Sequence, residues 1–376
     1  MTTFINRLVA LLLVFFTIGN SKLSAQTGDV PMTADRWEAV FGSFEFKEHK
    51  GSPAMVMAKE GAAAVKGLTF GNGTVEFDVD PAAMGAGLGF RMRGLETLDL
   101  FYFRPQPNCA SSPTCVQYAP FTRKVLLWDL FPQYQASAPL RQGEWNHVKM
   151  VISGRRMHVF VNGGMSPALA VGSLEGDLQE GQLALVGPGA FANFKVSPGA
   201  VGDLSAAPEK DPAADDQHLV RNWKLSPSSP LPDGQEPAVG DLPKASAEWR
   251  PLSAERGGLV NVTRVYGNPL APPARSVAWL KTSITSTKTQ SKKVAIGWTR
   301  EIWVFVNGQR VYADKNLFQP PDARKPPEGR LSLQNGSFEL PLNAGENEIA
   351  VALANNFYGW GMMLRLDDLD GVRLPR

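Results

Sequence analysis

Apolar and polar residues alternate one by one in short runs along most of this chain, and the runs break at glycine, proline or Asn-Gly. In VEFDVD, Val75, Phe77 and Val79 take one side of an extended backbone while Glu76, Asp78 and Asp80 take the other, because successive side chains of a strand point to opposite faces. The same period marks SPAMVMA, GLGFRMRG, LDLFYFRP, TCVQYAPF, KVLLWDL, EWNHVKMVIS, RRMHVFVNG, GQLALVG and AFANFKVS. It returns in ARSVAWLKTSI, KKVAIGWT, REIWVFVNG, GSFELPL, ENEIAVALAN and GMMLRLDDL. The pentapeptide VFVNG occurs twice, ending at Gly163 and at Gly308. Asn-Gly tolerates the positive φ angles of a tight hairpin, so each copy predicts a strand, a corner and a second strand. The flanks of the copies do not align, and the pentapeptide reads as one hairpin chemistry used twice. No segment holds a helical apolar period over four turns.

The pattern therefore predicts an all-β protein, two β-sandwich (jelly-roll) domains in tandem after a signal peptide. The first spans 29–198 and the second 219–376. Between them, 199–218 lacks both aromatic residues and periodicity and reads as a linker. The Pro-rich start of the second domain predicts long loops wrapped over its sheets. In NEIAVALA, Ile349, Val351 and Leu353 share a face, and the small Ala350 and Ala352 predict close packing on the other.

Composition changes the picture in three ways. Arg7 precedes the apolar run Leu8 to Ile18, and SKLSA offers a cleavage point after Ala25. That run is too short for a membrane-spanning helix, so 1–25 reads as an export signal and the mature chain as secreted or periplasmic, without membrane insertion. Arg7 and Lys22 account for both units of the formal net charge of +2, which leaves a neutral mature chain. Nucleic acid is thereby a poor partner, and the diluted basic cluster TKTQSKK reads as a solvated strand face. Cys109 and Cys115 are the 2 cysteines, and in an exported chain their proximity predicts a disulfide. Two thiols without a nearby histidine do not make a zinc site.

The stretches FGNGTVEFDVD, GLGFRMRG, FYFRP, QYAPF, GEWNHVKMVISGRRMHVFVNG and FANFKV resemble the concanavalin A-like lectin/glucanase superfamily, near its laminin-G-like and 3-keto-disaccharide hydrolase (family-16-like) domains. WVFVNGQRVY and LPLNAGENEIAVAL, with the Trp-containing C-terminal strand region, are similar to the galactose-binding-like jelly rolls of glycoside hydrolases, including the sugar-binding module of family 2. The first resemblance implies a lectin or a hydrolase, and the second implies sugar binding or a packing module. No cofactor is implied, although structural calcium occurs in some relatives.

Three groups of residues are candidates for chemistry. Glu76, Asp78 and Asp80 resemble the E-x-D-x-E catalytic strand of family 16 glucanases, which implies a nucleophile, a tuning carboxylate and an acid. Retaining hydrolysis needs carboxyl groups about 5 Å apart, whereas residues four apart on a strand are about 13 Å apart at Cα. The competing reading is the wet face of a sandwich. Arg91, Tyr102, Arg104, Gln117, Tyr118 and Trp128 supply flat rings and polar forks for a sugar, and paired arginines suit an acidic or oxidised one. Against this, the arginines pair with acids and the rings are core. In ANNFYGWGMMLR, Asn355, Tyr358 and Trp360 read either as a glycan-gripping loop or as a plug. His49, His147, His158 and His218 lack metal-ligand spacing, and His147 and His158 are expected on paired strands. The leading expectation is an exported, non-catalytic carbohydrate-binding protein whose partner is an oligo- or polysaccharide. The alternatives are a family-16-like glycoside hydrolase and a structural or protein-interaction module.

Overall fold

The computed structural model describes residues 28–270 and 274–375, and these are almost entirely strands and turns. The export segment, with Ala25, lies outside the described residues. A first sheet runs, neighbour to neighbour, Leu169–Val171, Arg156–Val161, Asn146–Ser153, Gly73–Pro81, Gly189–Pro198, Ser52–Met57 and Glu45–His49. A second runs Val125–Leu126, Val116–Thr122, Thr97–Phe103, Gly87–Arg93, Gln182–Val186, Ala62–Val65 and Trp37–Phe41. Val75, Phe77 and Val79 of the first sheet share one core with Leu88, Phe90, Phe101 and Phe103 of the second, as alternation requires.

The remaining strands build two more sheets. The third runs Arg250–Ser253, Asn222–Leu225, Arg275–Ser286, Gly345–Asn355, Arg300–Val306 and Gln309–Asn316. The fourth runs Val260–Asn261, Gly361–Leu366, Gln290–Trp298 and Gly336–Leu342. Ile349, Val351 and Leu353 enter their shared core beside Val294, Ile296 and Trp298. Ala350, Ala352 and Ala354 lie on the opposite face with Trp279, Trp303 and Phe305, covered by Leu231, Leu242 and Trp249 of the Pro-rich segment. Among the described residues the single α-helix is the four-residue Thr263–Tyr266.

Both VFVNG corners form as expected, with φ of 52° and 71° at Asn162 and Gly163 and 48° and 78° at Asn307 and Gly308. Their hydrogen bonds also match. Asn162 Oδ1 accepts from the His147 amide and its Nδ2 donates to Asn146 Oδ1 at 2.9 Å. Asn307 Oδ1 accepts from the Glu348 amide and its Nδ2 donates to Asn347 Oδ1 at 2.8 Å. The buried Asn146 and Asn347 each close a preceding turn through the backbone of Arg141 and Asn343. Yet Asn146 precedes its hairpin in the chain, whereas Asn347 follows its own. Opposite chain order with the same bonding circuit argues for a common local demand and against a copied segment.

Several sequence expectations change. KVLLWDL keeps strand structure only at Val125–Leu126, because Arg123 and Lys124 turn at φ of 50° and 65° and Leu127 bonds back to Pro120. Ala62–Val65 pairs in the second sheet without any alternation, since both its faces are buried. Lys292 of the basic cluster is buried and pairs with Asp368, so only part of that run is solvated. His158 lies opposite Val151 and not opposite His147. The 199–218 segment is held from both sides, by Arg156 on the Ala207 carbonyl at 2.8 Å and by Arg256 on those of Glu209 and Lys210 at 2.7 and 2.9 Å.

Candidate functional site

The Thr97–Phe103 strand points Phe101 and Phe103 into the core and leaves Leu100 and Tyr102 on the outer face of the second sheet. Its neighbour Val116–Thr122 places Gln117 beside Tyr102 and Tyr118 beside Phe101. Gln117 is fully buried and organises the site. Its Oε1 accepts from the Tyr102 hydroxyl at 2.8 Å and from Arg104 Nη1 at 3.1 Å, and its Nε2 donates to the Trp128 carbonyl at 2.9 Å. The irregular segment after Leu126 then presents Trp128 outward while Leu127 and Leu130 stay in the core.

A loop from the other pair of sheets closes over this floor. Trp128 meets Phe318 and Tyr358 edge-to-face, with ring centroids 4.8 and 5.7 Å apart. The next residue, Asp129, is fully buried and pairs with buried Arg300 at 2.5 Å. Arg300 also donates to the Phe357 carbonyl at 2.8 Å, and the Gly359 amide donates to Asp129 at 3.0 Å. Glycine is required there, since a Cβ on residue 359 would lie 2.5 Å from Asp129 Oδ1 and from Leu130 Cγ. Burial pushes the Asp129 carboxyl above its ordinary range, against the opposing pull of Arg300. Asn355 holds the loop from behind, donating to the Tyr358 carbonyl at 3.1 Å, and Tyr358 itself sits at φ 57°.

The result is a groove of about 350 Å³ bordered by Tyr102, Arg104, Trp128, Phe318, Phe357 and Tyr358. Phe41, Met84 and Phe357, 39%, 61% and 37% exposed, stand on its border as large apolar side chains in water. A larger hollow of about 810 Å³ lies over Asn222, Lys281, Ser283 and Glu348. Its one tryptophan, Trp223, is buried in the core, so it offers no ring platform.

Of the proposed sugar-site residues, Tyr102, Arg104, Gln117, Trp128 and Tyr358 come together. Arg91 does not join them. It is buried at φ 51° and donates to the carbonyls of Gly71 and Gly154 and to Asn72. Tyr118 points into the core, where its hydroxyl donates to buried Asp99 at 2.5 Å. Trp360 fills the second core and donates to the Leu353 carbonyl at 3.2 Å. Cys109 and Cys115 form a disulfide with Cα atoms 5.1 Å apart.

Glu76, Asp78 and Asp80 project together from the outer face of the first sheet, but each is occupied by neighbours. His147 contacts Asp78 at 2.8 Å and Glu76 at 3.5 Å, and Asn193 donates to Asp78 at 2.6 Å. Asp80 takes His49 at 2.9 Å and Lys50 at 2.6 Å. Burial raises the Asp80 pKa, but these hydrogen bonds outweigh it and leave the carboxyl below its ordinary value. Among the described residues no group of three or more His, Cys, Asp or Glu side chains is arranged to hold a metal ion.

Sequence reasoning missed Phe318, Asp129, Arg300 and the exposed Phe41 and Met84, whereas Phe357 stands in the aromatic loop that it singled out. A lone aspartate in LLWDLF and a lone arginine before EIWVFV were legible signals of a buried pair, because a charge inside an apolar run needs a partner. Phe318 lies in a Pro-rich loop with no pattern to mark it.

No family model matches the chain, and no curated protein matches it. Among solved structures it is similar to the family 66 carbohydrate-binding module of Bacillus subtilis, at 16% identity and a TM-score of 0.32 over 43% of this chain and 95% of that one. It is also similar to a Bacillus subtilis protein of unknown function with a galectin-like fold, at 14% identity and a TM-score of 0.33 over 46% and 96%. A β-1,3-glucanase from Mycobacterium marinum shares 11% identity at a TM-score of 0.27 over 45% and 93%.

Proposed function

We propose that this protein binds saccharide, without cleaving it, in the groove between Tyr102, Arg104 and Trp128 and the Phe357–Tyr358 loop. The observation that carries the reading is the rim, where Phe41, Met84 and Phe357 leave apolar surface in water beside the partly exposed guanidinium of Arg104. A sugar ring offers an apolar C–H face and a polar edge, and this rim matches both. A volume of about 350 Å³ lies at the small end of ligand sites and favours one or two sugar units over a long chain.

A binding role is supported by the carboxylates. Those on the first sheet are taken up by histidine, lysine and asparagine, and Asp129 is taken up by Arg300. The reading includes export to the periplasm or the medium, supported by the apolar run after Arg7 and by a disulfide, which persists in oxidising compartments. It also places the first two sheets with the concanavalin A-like superfamily and the other two with the galactose-binding-like jelly rolls, as two domains joined near 199–218. A glycan array followed by titration calorimetry tests it. Binding that is lost in Tyr358→Ala supports the groove, whereas a silent array with no sugar-induced rise in melting temperature sinks it. The exposed Met84 favours a protein partner as the second reading, which predicts that silence together with capture of a defined partner through the same rim.

A further inference from the structure

The arginines around Trp128 are unevenly matched. Arg300 has Asp129 at 2.5 Å and the Phe357 carbonyl, with only its Nη1 left without a partner. Arg324 lies over the Phe318 ring and donates to the Phe318 carbonyl. Arg330 is only 2% exposed and lies with its guanidinium carbon 5.2 Å from the Trp128 ring centroid. Among the described residues its one ion pair is with Glu328 at 3.0 Å, a carboxylate that is 62% exposed, while its Nε and Nη2 have no hydrogen-bond partner. Arg104, on the groove wall, bonds to the neutral Gln117 and forms no ion pair among the described residues.

Buried guanidinium donors without acceptors are costly, and two guanidiniums held near one phenol repel each other. Burial depresses the Arg330 pKa and the nearby Arg104 charge adds to that, while Glu328 opposes it. Arg330 does not border the groove, so a planar carboxylate in the groove would answer the charge repulsion, accepting two parallel N–H bonds from the Arg104 guanidinium with Arg330 adding its charge from behind. Glu60 also borders the groove, so an acidic group is tolerated only where arginine outweighs that glutamate.

We infer that the saccharide bound here is acidic, carrying a carboxylate such as that of a uronic acid, which Arg104 binds with support from Arg330. This rests on the groove being the saccharide site. It also replaces the arginine pairing expected from sequence, because Arg91 is committed to backbone carbonyls elsewhere and leaves Arg104 as the arginine on the groove.

The test is calorimetry of the purified protein against oligomers of galacturonic, glucuronic and mannuronic acid, each beside its carboxyl-reduced and its sulfated counterpart. One uronate should bind about tenfold to a hundredfold more tightly than its reduced form, and the preference should shrink with added salt. Arg104→Gln should abolish the preference, and Arg330→Met should reduce it, while both weaken binding of the neutral form less than that of the acidic one. If Arg330→Met lacks a thermal transition, Arg104→Gln, at a partly exposed position on the groove wall, still decides the inference. Equal binding of acidic and reduced oligomers overturns this inference and leaves the saccharide reading standing. Sulfated forms binding as tightly as uronates overturn the carboxylate assignment, and silence across every member overturns both readings.

Discussion

The first pair of sheets shows water two very different faces. The Glu76 face carries alternating carboxylates, the feature that a reader of the sequence notices first. Each of them is matched by His147, Asn193, His49 or Lys50 at hydrogen-bonding or ion-pair distance. The Tyr102 face carries fewer charges, yet it holds a groove with exposed rings and with Arg104, which forms no ion pair among the described residues, on its wall. A polar side chain next to complementary ones is already satisfied, so density of charge in a strand says little about availability. What marks a binding face is unsatisfied chemistry that the rest of the chain holds in place.

The largest expected effect breaks the clamp on the Tyr102 face. Asp129→Ala strands buried Arg300 and should cost about 3–5 kcal/mol, seen as a lower urea midpoint, while the double change Asp129→Leu with Arg300→Met should recover much of it. Saccharide binding should fall with the single change as well, because Arg300 also holds the Phe357 carbonyl.

Next comes pH, which separates buried from open carboxylates. Burial raises Asp99 to about 6, against the Tyr118 hydrogen bond. Its protonated form is therefore favoured by folding, and the stability it contributes is full below about pH 4 and lost as pH rises towards 6. The change is about 3 kcal/mol, and Asp99→Asn should flatten it in denaturant titrations between those pH values. Asp80 has the opposite sign, since its lowered pKa contributes stability above 3.8 that disappears as pH falls below it. Asp80→Asn should thus blunt acid unfolding and leave the limb near pH 5 unchanged.

A smaller effect is confined to affinity. Phe357→Ala removes a half-exposed ring and should weaken saccharide binding about tenfold, near 1.4 kcal/mol, with little shift in melting temperature. Smallest of all is Glu76→Gln, a partly exposed change expected to move stability by less than about 0.5 kcal/mol and to leave binding intact. Loss of binding with Glu76→Gln, and none with Phe357→Ala, would reverse the assignment of the two faces.

The strands of both sandwiches were legible because burial on one side imposes a two-residue period on the chain. That signal fails where both sides are covered, as in Ala62–Val65, and where a strand bends away, as after Leu126. The candidate site was legible in part. Tyr102, Arg104 and Gln117 lie on paired strands, and Trp128 follows closely, so local pattern gathers them. Arg91 and Tyr118 belong to the same stretch of sequence but point away, since a positive φ at Arg91 and the strand alternation at Tyr118 direct them elsewhere.

Taken alone, the order of residues determined that this chain makes sheets, which side of each strand is apolar, and that Asn-Gly turns both VFVNG corners. These outcomes depend on a residue and its near neighbours, which is why the two corners agree although their bonding partners arrive in opposite chain order. Tertiary structure decided which polar groups were left to act. Phe318, Arg330 and Tyr358 reach Trp128 from far along the chain, and pairing across such distances is set by how whole sheets pack. The groove exists only where the Asp129–Arg300 contact brings those segments together.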